Sequence, residues 1–261
     1  MVVLAQIYRR GADIVSQYYS YTDFHISLMP APTGMLFFLN QEVNSWQGLQ
    51  ILDVACGSGL LAQEMAESGA NVTAMDCDRT VLSQAMELAR THRRGRVPYF
   101  IQGSLADLPG EAESYQMILC LSNAVSSLPD ADAFQEFFQK VALLLVRNGR
   151  FVLQLFNYDR ILRYKDYTLE GISMPEDGIS IQRHFEPVAD GYLDLVSRIR
   201  ILRSDAFEIS SHRSRVWPVT SDFLRTGLQD AGFGKVNFYA DVSAVSWQPD
   251  SYSTLIVAVR S

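Results

Sequence analysis

The sequence predicts an α/β fold, a mostly parallel sheet wrapped by helices, with an antiparallel last strand and an inserted antiparallel β lid. Three observations predict it. Apolar runs of strand length alternate with helical stretches from Leu49 to Leu155. A glycine turn, Gly57-Ser58-Gly59, closes the first run. From about Ile179 to Val216 the hydropathy then alternates at period two, with no helix between the strands.

The elements follow in order. Residues 1–48 read as a helical cap rich in tyrosine (Tyr8, Tyr18, Tyr19, Tyr21), broken at Pro30 and Pro32. Its second helix, over about 33–43, leads to the first strand, Gln50-Ile-Leu-Asp-Val-Ala55, which is short and apolar enough to be buried. Leu60 to Ser68 has helical spacing and stops at Gly69. Asn71 to Met75 is the second strand, and residues 80–91 form a helix with Asp78 as its N-cap. Residues 98–102 and 115–121 are the third and fourth strands. Asp132-Ala-Phe-Gln135 has the capping-box pattern and opens a helix that runs to about Val146. Asn148-Gly149 ends it, and Arg150 to Leu155 is the fifth strand.

The lid is expected over residues 171–217 as three strands, Ile179–Phe185, Tyr192–Leu202 and Phe207–Val216, with turns at Asp190-Gly191 and Ser204-Asp205. Residues 49–170 and 218–261 make the sheet domain. Its final part is a helix from Ser221 to Ala231 and two strands, Lys235–Tyr239 and Thr254–Val259, which suits a last strand inserted antiparallel beside the fifth.

Composition narrows the function. The chain has 261 residues, 48% hydrophobic and 20% charged, which is ordinary for a packed globular domain. No apolar run approaches the roughly 20 residues of a membrane helix, and the start of the chain lacks the order of a signal peptide, so a cytoplasmic protein without membrane partners is expected. The net charge of −7 argues against a nucleic-acid substrate. The basic run from Arg90 to Arg96 reads as the end of a helix. Cys56, Cys77 and Cys120 have no metal-ligand spacing and read as small apolar residues, so no metal is expected.

The strongest motif is Leu52-Asp-Val-Ala-Cys-Gly-Ser-Gly59. Ligands of such sheets sit beyond the carboxyl ends of the strands, where glycines let the backbone approach without Cβ collisions. Asp76 ends the second strand, where a carboxylate can accept both hydrogen bonds of a ribose diol. A dinucleotide oxidoreductase uses the same logic, and Gly57-Ser-Gly-Leu-Leu-Ala62 fits its loose fingerprint. Asp53 favours a different ligand: buried before the glycines, it repels a pyrophosphate but suits an ammonium group.

With Asp53, Gly57 and Gly59 in place of (D/E)-x-x-x-G-x-G, the chain resembles the class I S-adenosylmethionine-dependent methyltransferases, Rossmann-like enzymes. The resemblance covers about Leu49 to Leu155 well and the last forty residues moderately. It implies S-adenosyl-L-methionine as cofactor and S-adenosyl-L-homocysteine as product. It implies that Asp53, Ala55, Cys56, Gly57 and Gly59 line the methionine part, that Asp76 takes the ribose, and that Cys77 packs near the adenine. Gly103-Ser-Leu105 stands where the family reads the adenine edge. Ser104 replaces the usual carboxylate there, so that contact passes to its hydroxyl or to the Leu105 N–H. The Leu121 backbone falls at the cofactor rim. Asp53-Val-Ala-Cys-Gly, Leu119-Cys-Leu-Ser-Asn123 and Asn157-Tyr-Asp-Arg-Ile-Leu162 further resemble glycine N-methyltransferases and related small-amine enzymes, although Phe156 stands where their carboxylate-gripping Arg is found.

Methyl transfer from a sulfonium to an amine needs mainly a lone pair and correct aim, whereas a hydroxyl acceptor needs a base. His184 and His212 are the lid candidates for such a base, and both also read as surface residues. A small-molecule acceptor, more readily an amine nitrogen and carboxylate-bearing, is the expectation; O-methylation and a non-catalytic binding module are the alternatives. Acceptor contacts are expected from Tyr18, Tyr19, Tyr21, Asn123, Asn157 and Tyr158, and from lid arginines such as Arg183 and Arg215. Arg198 with Arg200, and Arg213 with Arg215, recur at strand period and so share faces, which are either solvated or ion-paired, or turned to an anionic acceptor. Contact between two copies in a homodimer is the other use such a lid would have.

Overall fold

The computed structural model describes residues 34–92, 95–174, 178–203 and 206–261. Most of the expected N-terminal cap, with Tyr18, Tyr19 and Tyr21, lies outside them. A short helix α1 (Met35–Asn40) leads to β1 (Gln50–Val54), α2 (Leu60–Glu67), β2 (Asn71–Asp76), α3 (Arg79–His92), β3 (Tyr99–Gln102) and β4 (Tyr115–Cys120). A 3₁₀ turn (Ala124–Ser127) precedes α4 (Ala131–Leu144) and β5 (Leu145–Phe156). Then come α5 (Tyr158–Tyr164), β6 (Thr168–Met174), β7 (Ile179–Pro187), β8 (Leu193–Arg203), β9 (Ala206–Val216), α6 (Ser221–Asp230), β10 (Phe233–Tyr239) and β11 (Ser253–Arg260).

The main sheet runs β10-β11-β5-β4-β1-β2-β3. β1 to β5 are parallel, and β11 lies antiparallel between β5 and β10, as the sequence predicts for the last strand. β1 and β4 are buried on both faces, which is why they read as continuous apolar runs rather than alternating ones. Helix starts are capped by side chains: Asp78 Oδ1 accepts from the N–H groups of Thr80 and Val81, and Thr220 Oγ1 from that of Phe223. One expected cap moves. Asp130, not Asp132, accepts the Ala133 N–H at 2.9 Å, so α4 starts earlier and gives way to β5 at Leu145. Phe134, Phe137, Phe138 and Phe151 pack mostly edge-to-face beneath the sheet, each burial contributing roughly 1.5–3 kcal/mol.

The lid is a separate antiparallel sheet, β6-β7-β8-β9. It has four strands where the sequence predicts three. Gly171 and an irregular register between Leu169 and Ile172 hide the alternation of β6. The lid is fastened to the main sheet at one end. Phe185 packs on Phe156 and Tyr158, the Trp217 N–H bonds Ser126 O at 3.0 Å, and the Tyr192 hydroxyl donates to Pro129 O at 2.8 Å. Among the described residues, no helix is long and apolar enough to cross a membrane.

Candidate active site

A cavity of about 360 Å³ opens beyond the carboxyl ends of β1, β2 and β4, where the strand order changes direction, and the lid roofs it.

Its floor is the turn after β1. Ala55, Gly57 and Gly59 all have positive φ, a conformation that costs a side chain strain. The turn is tied down by Cys56 N–H to Met75 O, and by Gly57 N–H to Asp76 Oδ2 at 3.0 Å. Asp76 Oδ1 accepts the Asp78 N–H, also at 3.0 Å, so this carboxylate joins the glycine turn to the end of β2 while keeping lone pairs for a ligand. The two glycines differ. A Cβ on Gly57 would meet nothing within 4 Å, so that position faces open cavity. A Cβ on Gly59 would lie 2.7 Å from the Phe100 ring. Gly59 does not line the cavity; it permits close packing of α2 on β3, which corrects its assignment as a cofactor contact.

Asp53 sits on β1 below the turn, 4% exposed. Burial, and then the neighbouring Asp76 charge, push its carboxyl up to about 7. The same burial, with Asp53 and Asp76 nearby, pushes the Cys56 thiol well up and makes it a poor nucleophile. A floor with two buried carboxylates and no Lys or Arg suits a ligand carrying positive charge and disfavours a pyrophosphate.

The wall comes from the loops after β2, β3 and β4. Cys77, Ser104, Leu105 and Leu121 line it, as expected of them. Ser122 and Asn123 both have positive φ, and the Ser122 N–H bonds Gln154 Oε1 at 2.7 Å. Asn123 Oδ1 accepts three hydrogen bonds: from Phe156 N–H at 3.2 Å, Ser126 Oγ at 3.0 Å and the Tyr158 hydroxyl at 3.0 Å. The backbone donor fixes which end of the amide is oxygen. Tyr158 therefore does not reach the cavity; its buried hydroxyl, pushed up to about 12 by burial, holds Asn123 in place. Asn157 is not in the cavity either. It caps α5 and donates to Pro249 O and Ser251 O, clipping the loop between β10 and β11.

The roof carries Arg183, Leu195, Ser197 and Ser214, which register pairing places on one face of the lid. Arg215 touches the cavity's edge, but strand alternation sends its side chain to the opposite face. There Asp194 Oδ1 accepts its Nε at 3.0 Å, and Arg213 bridges Asp194 at 3.1 Å and Glu186 at 2.6 Å. These arginines hold Asp194 below the usual carboxylate range, Arg215 contributing most. Arg198 and Arg200 share that outer face too. Of the two lid arginines expected as acceptor contacts, Arg183 faces the cavity, whereas the Arg215 guanidinium is held by Asp194 on the outer face. Ser197 and Ser214 escape the sequence, because their place follows from the hairpin register that aligns them with Arg183 and Leu195.

Residues 51–149 match the methyltransferase domain family. Over 208 residues the chain is 26% identical to a glycine/sarcosine N-methyltransferase of Halorhodospira halochloris, covering 79% of this chain and 74% of that one. Over 105 residues it is 30% identical to a ubiquinone biosynthesis O-methyltransferase of Actinobacillus pleuropneumoniae, covering 36% of this chain and 42% of the relative. In fold it is similar to an S-adenosylmethionine-bound amino pentose methyltransferase of Micromonospora echinaspora, with a TM-score of 0.68, 15% identity, and coverage of 99% of this chain and 97% of the other.

Proposed function

We propose that the chain, a class I S-adenosylmethionine-dependent methyltransferase, methylates a small acceptor at an amine nitrogen, the acceptor also bearing an anionic or oxygen-rich group. The residues of the floor fit the cofactor. Gly57 leaves open space, Asp53 is a buried carboxylate suited to the methionine ammonium, and Asp76 has lone pairs for the ribose diol. Ser104 and Leu105 stand at the adenine end, with Cys77 as a packing surface. The bound cofactor supplies an electrophilic methyl group on a sulfonium. The chain's own part is to aim the acceptor and exclude water, and a roofed cavity suits both tasks.

The observation that carries the acceptor reading is Arg183 on the cavity face of the roof, opposite the wall that holds Asn123. A guanidinium there can fork onto a carboxylate or a pair of oxygens. No histidine, lysine or tyrosine lines the cavity among the described residues, which favours an acceptor that needs no strong base. The likeness to a glycine/sarcosine N-methyltransferase, over 79% of this chain and 74% of that one, supports nitrogen, whereas the O-methylating relative matches 36% of this chain.

The test is a transfer assay over matched acceptors, amines with and without a carboxylate, beside phenols and hydroxy acids. The reading expects turnover of a carboxylate-bearing amine and a rise of about tenfold or more in its KM in Arg183→Ala, about 1.4 kcal/mol of binding. Exclusive turnover of hydroxyl acceptors would sink it. One observation stands on the side of that second reading: His212 Nε2 lies 2.8 Å from Ser214 Oγ, and Ser214 lines the cavity, which is a path for a hydroxyl proton.

A further inference from the structure

The cavity face of β7 and β8 is apolar except at one place. Along β8 its residues are Leu193, Leu195, Ser197, Ile199 and Ile201, and along β7 they are Ile179, Ile181, Arg183 and Phe185. Strand alternation puts aliphatic or aromatic side chains on such a face, and the rest of both rows obey it. The two exceptions, Arg183 and Ser197, stand directly opposite each other in the register, and both line the cavity. Residues so paired have Cβ atoms about 5 Å apart, close enough to reach one ligand group together.

Ser197 is 4% exposed, and its hydroxyl has no hydrogen-bond partner among the described residues. Three other serines of the cavity differ. Ser58 Oγ accepts the Leu60 N–H at 3.5 Å, Ser127 Oγ donates to Ala124 O at 2.8 Å, and Ser214 Oγ lies 2.8 Å from His212 Nε2. His212 is the β9 neighbour of Ser197 in register, yet that ring nitrogen turns to Ser214. A nearly enclosed hydroxyl without a partner costs stability against the aliphatic side chain that the row otherwise carries. It is accounted for where a ligand completes it.

We propose that Ser197 is a specificity-determining residue of the acceptor site, its hydroxyl donating to an oxygen of the same anionic or oxygen-rich group that Arg183 holds. This rests on the acceptor reading above. The two side chains divide the task. The guanidinium supplies charge and a planar fork. The hydroxyl, short and fixed on a buried strand, sets where an oxygen of that group must lie. An acceptor with a methyl group in that place leaves the hydroxyl unpaired, and a site built to hydrogen-bond its ligand rejects such an analogue.

Calorimetric titration of protein saturated with S-adenosylhomocysteine tests this, with β-alanine and butylamine as probes. They are amines of matched length, one ending in a carboxylate and the other in a methyl group. The wild type is expected to bind β-alanine about tenfold or more tighter than butylamine. Arg183→Ala should remove that preference. Ser197→Ala should cut it by about threefold to tenfold and leave butylamine affinity, S-adenosylhomocysteine affinity and the melting temperature unchanged. Ser197→Thr keeps a hydroxyl and suits a strand, so it should restore most of the preference. Ser197→Ala with the wild-type preference, in a protein whose Arg183→Ala variant has lost it, overturns the proposal and leaves the acceptor reading standing. A lower melting temperature in Ser197→Ala, with both probes weakened alike, makes Ser197 a structural residue and also overturns it. A wild type without preference overturns both.

Discussion

Two regions face each other across the cavity, and they treat charge in opposite ways. On the floor, Asp53 and Asp76 are buried side by side, Asp76 is hydrogen-bonded only to backbone N–H groups, and neither has an ion pair among the described residues. On the roof, four charged side chains of the outer face answer one another: Arg213 and Arg215 engage Asp194, and Arg213 also engages Glu186. Strain follows charge. Ala55, Ser122 and Asn123 hold positive φ around the floor and wall, whereas no residue of β7, β8 or β9 does among those described. An uncompensated charge in a strained frame costs stability and persists where a ligand completes it. Satisfied charges need no ligand. The comparison therefore separates residues placed for binding from residues placed for the fold.

The largest test is at the floor. Gly57→Val should abolish binding of S-adenosylhomocysteine by calorimetry, a loss of about a hundredfold or more, because a branched side chain enters the open cavity and the residue has positive φ. Gly59→Ala should act differently. Its Cβ collides with Phe100, so the melting temperature falls first. If the two variants behaved alike, the division between ligand space and packing space would be wrong.

Asp53→Asn sharpens the same comparison through stability. Burial raises the folded carboxyl to about 7, above the ordinary aspartate value of 3.8, so the native state holds its proton more tightly between those values. Stability from this group therefore falls as pH rises through that window and stays low above it. Removing the charge should raise the stability of the ligand-free protein above pH 7 by about 2–4 kcal/mol in denaturant unfolding. The same change should weaken S-adenosylhomocysteine binding and abolish the gain in affinity expected of the wild type on going from about pH 6 to about pH 8. A variant that is less stable at every pH would mean that Asp53 serves the fold.

Asp76→Ala should weaken S-adenosylhomocysteine binding by roughly 1.5–3 kcal/mol, the value of charge-assisted hydrogen bonds. Unchanged affinity in a protein with native circular dichroism would remove Asp76 from the ribose. The smallest effect belongs to the roof. Arg215→Ala leaves Asp194 paired with Arg213, so cofactor affinity and kcat/KM should change by no more than about twofold. A large loss of transfer there would place Arg215 among the acceptor contacts after all.

The floor was readable in the sequence because it depends on local rules. A glycine turn after an apolar strand, with a carboxylate at the end of the next, follows from residue type and spacing, and Asp53, Ala55, Cys56, Gly57 and Asp76 all line the cavity. Even there, the sequence does not distinguish a glycine that makes room for a ligand from one that makes room for a ring, and Gly59 is the second kind. The roof depends on register between strands far apart in the chain. Arg183 and Arg215 look equivalent as residues, and only the pairing of Asp194 with Arg215 and of Arg183 with Ser197 sends them to opposite faces. Asn157 and Tyr158 follow the sheet edge as acceptor residues would, yet one clips a loop some ninety residues away and the other supports Asn123 from behind.

The placement of β11 has a consequence for how the chain reaches this structure. β11 is hydrogen-bonded on one side to β5 and on the other to β10, so it bridges an early part of the sheet to a late one. β10 has no other neighbour in that sheet. Until residues 253–260 arrive, β10 has nothing to pair with and β5 presents a bare edge, and the contact that repairs both spans about a hundred residues of chain. During synthesis the cofactor half can assemble first, while the sheet's other flank waits as an unpaired edge prone to wrong partners. A chain cut before Ser253 would keep its glycine turn and both floor carboxylates and still be hard to keep in solution.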